Sequence, residues 1–191
     1  FLAFNFELTM ASEAEISPFM TVGTKTSQPV GHHQFCMVYG AECEVRSSGR
    51  QRIRLTEEHW SSLLEVNAAV NAMIEPVTDQ DLFGQAEVWA YPVDRGDCED
   101  FVLLKRQMLM DRGWPAGALL ITVVRQANGD GHAVLTVLTD RGDLILDNLE
   151  NQVHLWTGTP YRYLKRQSSQ NAGEWVSIND GRAPLVGSLH K

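Results

Sequence analysis

The stretch GDCEDFVLLKRQMLMDRGWP, Gly96 to Pro115, reads as a helix with a chemical problem at its start. Asp97 opens it, with Asp100 three residues later approximating a capping box, and Phe101, Leu104 and Met108 recur at helical spacing as a buried stripe. Gly113 before Trp114-Pro115 ends it. Cys98 therefore falls at the first helical position, where unpaired backbone N–H groups and the helix dipole favour an anion. Yet Asp97, Glu99 and Asp100 crowd it with carboxylates that oppose a thiolate. Either the cysteine does no chemistry, or a positive charge offsets the acids.

Outward from this helix the pattern changes on both sides. Downstream come ALLITVVRQ, HAVLTVLT and LILDN, then TPYRYLKRQ and EWVSI, with NGDG and DRGD as turn signals between the first three. Upstream, Thr56 caps a helix on which Trp60, Leu63, Leu64, Val70, Met73 and Ile74 recur at helical spacing until Glu75-Pro76 stops it. Its His59 reads as a surface residue. Residues 76 to 97 have no clean period but hold Phe83, Trp89 and Tyr91, an ordered loop whose aromatics either plug the core or wall a substrate site. Helices followed by an antiparallel sheet predict an α+β fold. At 191 residues the chain suits one core, so the expected organisation is an arm at 1–30, a single domain at 31–180 and a loosely held tail at 181–191.

A net charge of −8 argues against a nucleic-acid partner, because phosphate binding needs a basic surface. No run approaches the roughly 18 apolar residues of a membrane span, so no membrane insertion is expected. The opening FLAFNFELTMASEAE is compatible with the remains of a processed leader but establishes no export. Cys36 and Cys43 lie seven apart, a spacing that permits a disulfide across Tyr39-Gly40 in an oxidising compartment and equally permits two small core residues.

A nucleophilic cysteine needs a base, and the base needs an orienting group. His132, in GDGHAVLTV, stands at the mouth of a strand 34 residues after Cys98, and Asp147 ends the next strand 15 residues later. With a two-residue turn at Arg141-Gly142, Asp147 would face Thr136, roughly 13 Å from His132 along the strand. With Thr139 to Gly142 as the loop it would face Val134, about 7 to 8 Å from His132 between backbones, a gap the two side chains can bridge. A thiol at a helix start, then His, then Asp on successive strands is the order of papain-like sites. The Cys98 backbone N–H offers one oxyanion donor, with Gln85, Trp89 or a backbone group near them as candidates for a second. The acids also offer hard oxygens for calcium: Asp97, Glu99 and Asp100, with Asp94, Asp79 and Asp81 nearby.

Taken together, GDCEDFVLLKRQML, GHAVLTVLTDRGDLILDN and TPYRYLKRQS resemble the bacterial transglutaminase-like cysteine proteinases, over about Val30 to Ile178. The resemblance implies a papain/transglutaminase-like fold and a cysteine peptidase with Cys98, His132 and Asp147 as its triad. It implies calcium held near the DCED segment by Asp97, Glu99 and Asp100. It also implies a periplasmic setting and a protein substrate, such as a surface adhesin, under the control of an inner-membrane receptor. A transglutaminase-type acyltransferase and a non-catalytic binding module are the competing expectations for the same residues.

Overall fold

The computed structural model describes residues 16–48 and 52–182. The first half of the expected arm and most of the expected tail lie outside them. The elements run β1 (Val22–Thr26), α1 (Val30–Val38), α2 (Gly40–Cys43), α3 (Glu57–Met73), β2 (Glu75–Pro76), α4 (Asp79–Phe83), β3 (Arg95–Gly96) and α5 (Cys98–Asp111). Then follow β4 (Leu119–Arg125), β5 (Gly131–Thr139), β6 (Gly142–Leu146), β7 (His154–Leu155), β8 (Arg162–Gln167) and β9 (Trp175–Ile178). Seven strands form one sheet in the order β1-β9-β8-β4-β5-β6-β7, every pairing antiparallel. The α+β expectation holds.

The strands β4 and β5 read as near-continuous apolar runs because both faces of the sheet are covered. On one face Ala133, Leu135 and Val137 share a core with Phe101, Val102 and Leu109 of α5 and with Leu63, Val66 and Val70 of α3. On the other, Val134 and Ile145 pack with Trp156, Tyr161 and Tyr163. Each large apolar side chain so buried contributes about 1.5–3 kcal/mol relative to exposure.

Thr56 caps α3 as expected, its Oγ1 accepting the His59 N–H at 3.2 Å. Trp60, Leu64 and Met73, expected on the buried face, are exposed, and the true inner face is Leu63, Val66, Asn67 and Val70. Asn67 is inside because its Nδ2 holds the carbonyls of Glu150 and Asn151, each at 3.0 Å. A similar correction applies to α5: Leu104 and Met108 are only partly buried, whereas Lys105 is wholly inside.

The stretch at 76–97 is more ordered than its sequence suggests. Thr78 Oγ1 accepts the Asp81 N–H to start α4, Gly84 at φ 69° ends it, and β3 returns to pair with β2 in parallel. Trp89 is buried, and a Cβ on Gly31 would lie 2.3 Å from its Cδ1, so the indole requires glycine there. The second part of the expected arm is also structured, since Val22–Thr26 forms an edge strand on β9. In the described part of the tail, the Arg182 guanidinium lies over Trp156, 4.9 Å from its ring centroid.

Cys36 and Cys43 form a disulfide that joins α1 to α2. Closing so short a loop restrains the unfolded chain by about 2–3 kcal/mol. Dithiothreitol is therefore expected to lower the melting temperature, with a Cys36→Ser, Cys43→Ser double variant showing the same loss and no further response to reductant. His32 lies within ligand reach of both sulfurs, but the bond between them leaves no thiolate for a metal.

Candidate active site

Gly96 brings the chain into α5. A Cβ there would fall 2.6 Å from Asp100 Oδ2 and 2.8 Å from Asp100 Cβ, so the acid occupies the space that any side chain at 96 would need. Half of the expected capping box forms, the Asp100 carboxylate reaching back to the Asp97 backbone N–H. Asp97 takes the N-cap position with no side-chain cap bond, and Asp100 also accepts the Ala90 N–H at 2.9 Å, tying the helix start to the Trp89 loop. Cys98 is the first helical residue, and among the described residues it is the free thiol.

The Cys98 Sγ donates to Glu99 Oε2 at 3.1 Å. Burial, and then the charge and hydrogen bond of Glu99, push the thiol well above its usual range; the backbone N–H of Ala133 pulls the other way. That last contact sets the sulfur beside the start of strand β5, at the neighbour of His132.

The β5–β6 hairpin determines where Asp147 falls. Thr139 pairs with Gly142 and Leu135 with Leu146, which leaves Asp140-Arg141 as the turn and brings Asp147 level with Val134. This is the register expected for the longer loop, reached through a tighter turn. Gly142, at φ 138°, permits it, and Thr139 Oγ1 donates to the Gly142 carbonyl at 2.7 Å. His132 Nε2 and Asp147 Oδ1 are 2.8 Å apart, both side chains nearly inaccessible. The ring's Nδ1 is thereby left for a proton from elsewhere.

Asp147 is held from four directions. The Leu149 N–H donates to its Oδ1 at 3.0 Å, the Tyr161 hydroxyl to its Oδ2, and Asn71 Nδ2 to its main-chain oxygen at 2.9 Å, in addition to the His132 bond. Burial alone would raise its carboxyl, but the bonds from His132, Tyr161 and Leu149 outweigh burial and hold it below the ordinary value. An anion fixed in this way can orient an imidazole and stabilise its protonated form. Tyr161 and Asn71 were not foreseen: TPYRY and VNAAVN carry no local signal of a contact made across the fold.

Next to the thiol, Asp79, Asp97 and Glu99 bring one carboxylate oxygen each within 4.8 Å of the others. Burial first, and the charge of Asp97 second, push Glu99 up to about 9. Burial likewise raises Asp97 to about 6 and Asp100 to about 7. Asp79 Oδ1 and Asp97 Oδ1 are buried with no hydrogen-bond donor. Glu99 hydrogen-bonds Asp97 and accepts from Cys98, and the Val88 N–H donates to Asp79 Oδ2, so the two Oδ1 atoms left without a donor are the hard oxygens that fit a cation such as calcium. Of the acids expected from sequence, Asp97 and Glu99 are brought together with Asp79, and Asp100 is committed to the adjoining loop. Asp81 accepts from the Thr78 hydroxyl at 2.7 Å, and Asp94 is exposed beside Arg95. Of the oxyanion candidates, Gln85 is exposed, and the Trp89 indole N–H donates to Glu87 Oε2 at 3.2 Å.

The fold is that of a transglutaminase-like protein, and it carries a cysteine at a helix start, a histidine on a strand and an aspartate just past the end of the next strand. The chain belongs to the bacterial transglutaminase-like cysteine proteinases, whose family model matches residues 22–183. It is similar to LapG of Legionella pneumophila, at 27% identity and a TM-score of 0.52 over 61% of this chain and 66% of that one. EGTA-treated LapG matches at 28% identity with the same TM-score and coverage. Calcium-bound LapG matches at 25% identity and a TM-score of 0.53, covering 68% of this chain and 74% of that one. The first two matches thus span just under two thirds of LapG's own length. No curated protein sequence matches this chain significantly. Among the described residues no helix is long and apolar enough to cross a membrane.

Proposed function

We propose that this protein is a calcium-dependent cysteine endopeptidase in which Cys98 is the nucleophile, His132 the general base and Asp147 its orienting acid. The observation that carries the reading is the buried His132–Asp147 bond at the strand mouth met by the start of α5, in a chain of a cysteine proteinase family. His132 Nδ1 takes the Cys98 proton as the sulfur attacks a peptide carbonyl. The resulting imidazolium, held by Asp147, returns the proton to the leaving amine. The Cys98 N–H, at the first turn of a helix, donates to the oxygen as it gains charge. Water enters next, its proton passing to His132, and the acyl group leaves as a carboxylic acid.

Asp79, Asp97 and Glu99 would hold calcium, with Asp100 fixing the loop beside them. Bound there, it supplies the positive charge that lets these carboxyls ionise and offsets their push on the thiol. The substrate class is protein. A periplasmic setting, which the Cys36–Cys43 disulfide suits, a surface adhesin as substrate and control by an inner-membrane receptor complete the proposal.

Product analysis in H₂¹⁸O with and without an added primary amine tests the reaction. The expected product is a new carboxylate carrying ¹⁸O in both conditions. Capture of the amine in place of water would make the protein an acyltransferase, and no bond cleavage in either condition would leave only a binding module.

A further inference from the structure

The disulfide has one end on α1 and the other on α2, and its positions are seven apart in sequence. The two sulfurs differ in access. Cys43 is 8% exposed, whereas Cys36 is only partly buried and lies beside Met37 and Val38, which stand open to solvent. A thiol arriving from solution therefore meets Cys36 first. Gln28 Nε2 donates to the Cys36 sulfur at 3.2 Å, and such a donor favours the thiolate over the thiol once the bond opens. Because the closed loop is short and local, opening it frees little chain and leaves the sheet paired.

Both helices that the bond joins touch the parts that place Cys98. On the α1 side, Gly31 lets the Trp89 indole close against the helix, and the His32 ring lies 5.4 Å from that of Trp89 while accepting the Trp175 indole N–H at 3.2 Å. Phe35 meets Tyr91 edge-on at 5.7 Å. The loop gripped in this way carries the Val88 and Ala90 N–H groups, which donate to Asp79 and Asp100. On the α2 side, Glu42, next to Cys43, accepts from Arg106 of α5 at 3.0 Å, and Arg106 Nε donates to the Leu119 carbonyl at 3.1 Å. The Arg106 side chain is buried, so withdrawing Glu42 leaves its charge without a counterion.

We propose that Cys36–Cys43 is a thiol–disulfide exchange site for a dithiol reductant, and that its cleavage releases α1 and α2 from the 88–91 loop and from α5 and so turns the peptidase down. The effect on activity rests on the Cys98 and calcium reading proposed above; the exchange itself does not. One thiolate of the reductant attacks Cys36 Sγ, the bond to Cys43 breaks, and Cys43 leaves as a thiolate that takes a proton from water. The second thiol of the reductant then attacks the mixed disulfide. Cys36 leaves as a thiolate, the reductant departs as a cyclic disulfide, and two electrons have passed to the cysteine pair.

The whole chain carrying Cys98→Ala, in which Cys36 and Cys43 are the remaining cysteines, tests the exchange. Well below the melting temperature, dithiothreitol should make both thiols open to a maleimide while the far-ultraviolet circular dichroism holds. Amide hydrogen exchange over residues 88–101 should then rise tenfold or more, with that of β4 and β5 unchanged. A bond that resists dithiothreitol until the chain melts, or a reduced protein whose 88–101 exchange stays as it was, would overturn the inference.

Those measurements need no change at the disulfide itself. Kinetics supply a second readout, comparing wild type with the Cys36→Ser, Cys43→Ser double variant, neither given reductant, at a temperature where both are folded. The double variant should show kcat down fivefold or more and half-saturating calcium up threefold or more. A bond that only stabilises the fold would lower the melting temperature and leave both values alone, and that result also overturns the inference. The two readings fail separately. If wild type cleaves nothing while residues 88–101 open on reduction, the peptidase fails and the exchange site stands; if both forms cleave at one rate, only the switch fails.

Discussion

Replacing Cys98 by alanine is expected to reduce cleavage of a protein substrate on the order of 10⁴- to 10⁶-fold, and His132→Ala to cost about as much. The two losses should not add, because each removes the same attack: without the sulfur the base has nothing to deprotonate, and without the base the buried thiol keeps its proton. That second half is severe here. Burial and Glu99 already hold the Cys98 thiol well above its usual range, so spontaneous ionisation supplies little nucleophile. Asp147→Asn should cost less, roughly 10²- to 10⁴-fold, since it leaves the attack intact but misorients the ring. Removing the Tyr161 hydroxyl should cost less again, as Leu149 and His132 still satisfy the carboxylate. Initial rates on one protein substrate, with melting temperatures to confirm that each variant folds, order the four changes. Undiminished turnover in either Cys98→Ala or His132→Ala would end the proposal.

How far this site could be read from sequence depends on whether each part is local. The helix start at Gly96-Asp97-Cys98 is local: glycine, acid and apolar period sit within a few residues, and the element appears where expected. The pairing of His132 with Asp147 was half legible. Strand alternation placed both on one face, and only the turn could choose the register; the sequence DRGD allowed two choices, and Gly142 at positive φ takes the one that closes the bond. Misreadings arose where a long-range contact outweighs local pattern. Asn67 interrupts an apolar face yet lies inside, because the carbonyls of Glu150 and Asn151 are its partners across the fold. Asp97 and Asp100 have the spacing of caps, and Asp100 does reach back to the Asp97 N–H, but its close approach to Gly96 and its bond to the Ala90 N–H, made across the fold, give the carboxylate a second task. Val22–Thr26 looks polar and irregular because an edge strand exposes most of its surface, and its partner β9 lies some 150 residues away.

The acids around Cys98 predict a pH response of unusual sign. Asp97, Asp100 and Glu99 are raised to about 6, 7 and 9, above their ordinary carboxylate values. A group whose folded value exceeds its unfolded one contributes stability that is fully present below the unfolded value and is lost as pH rises through the folded value. In EGTA, the melting temperature should therefore be highest near pH 4 to 5, as far as these groups decide it, and should fall progressively through pH 6 to 9. Excess calcium should reverse the trend, because a bound dication favours the ionised carboxyls that the ion-free fold resists. A ligand at a hundredfold its Kd adds about 2.7 kcal/mol, which for a chain of this size is roughly 5–10 °C. Near pH 8 the calcium increment should be larger than near pH 5, where protons compete for the same oxygens. Asp97→Asn removes one negative charge from the cluster, so it should raise the ion-free melting temperature and abolish most of the calcium increment. The same cation should speed alkylation of Cys98 by iodoacetamide at pH 7 at least tenfold, since it offsets the charges that hold the thiol protonated. Differential scanning fluorimetry across pH, paired with the alkylation rate, distinguishes a calcium clamp from a merely acidic surface. An acidic surface would respond to calcium weakly, with no pH-dependent increment and no change at the thiol, and that combination would remove calcium from the mechanism while leaving the triad standing.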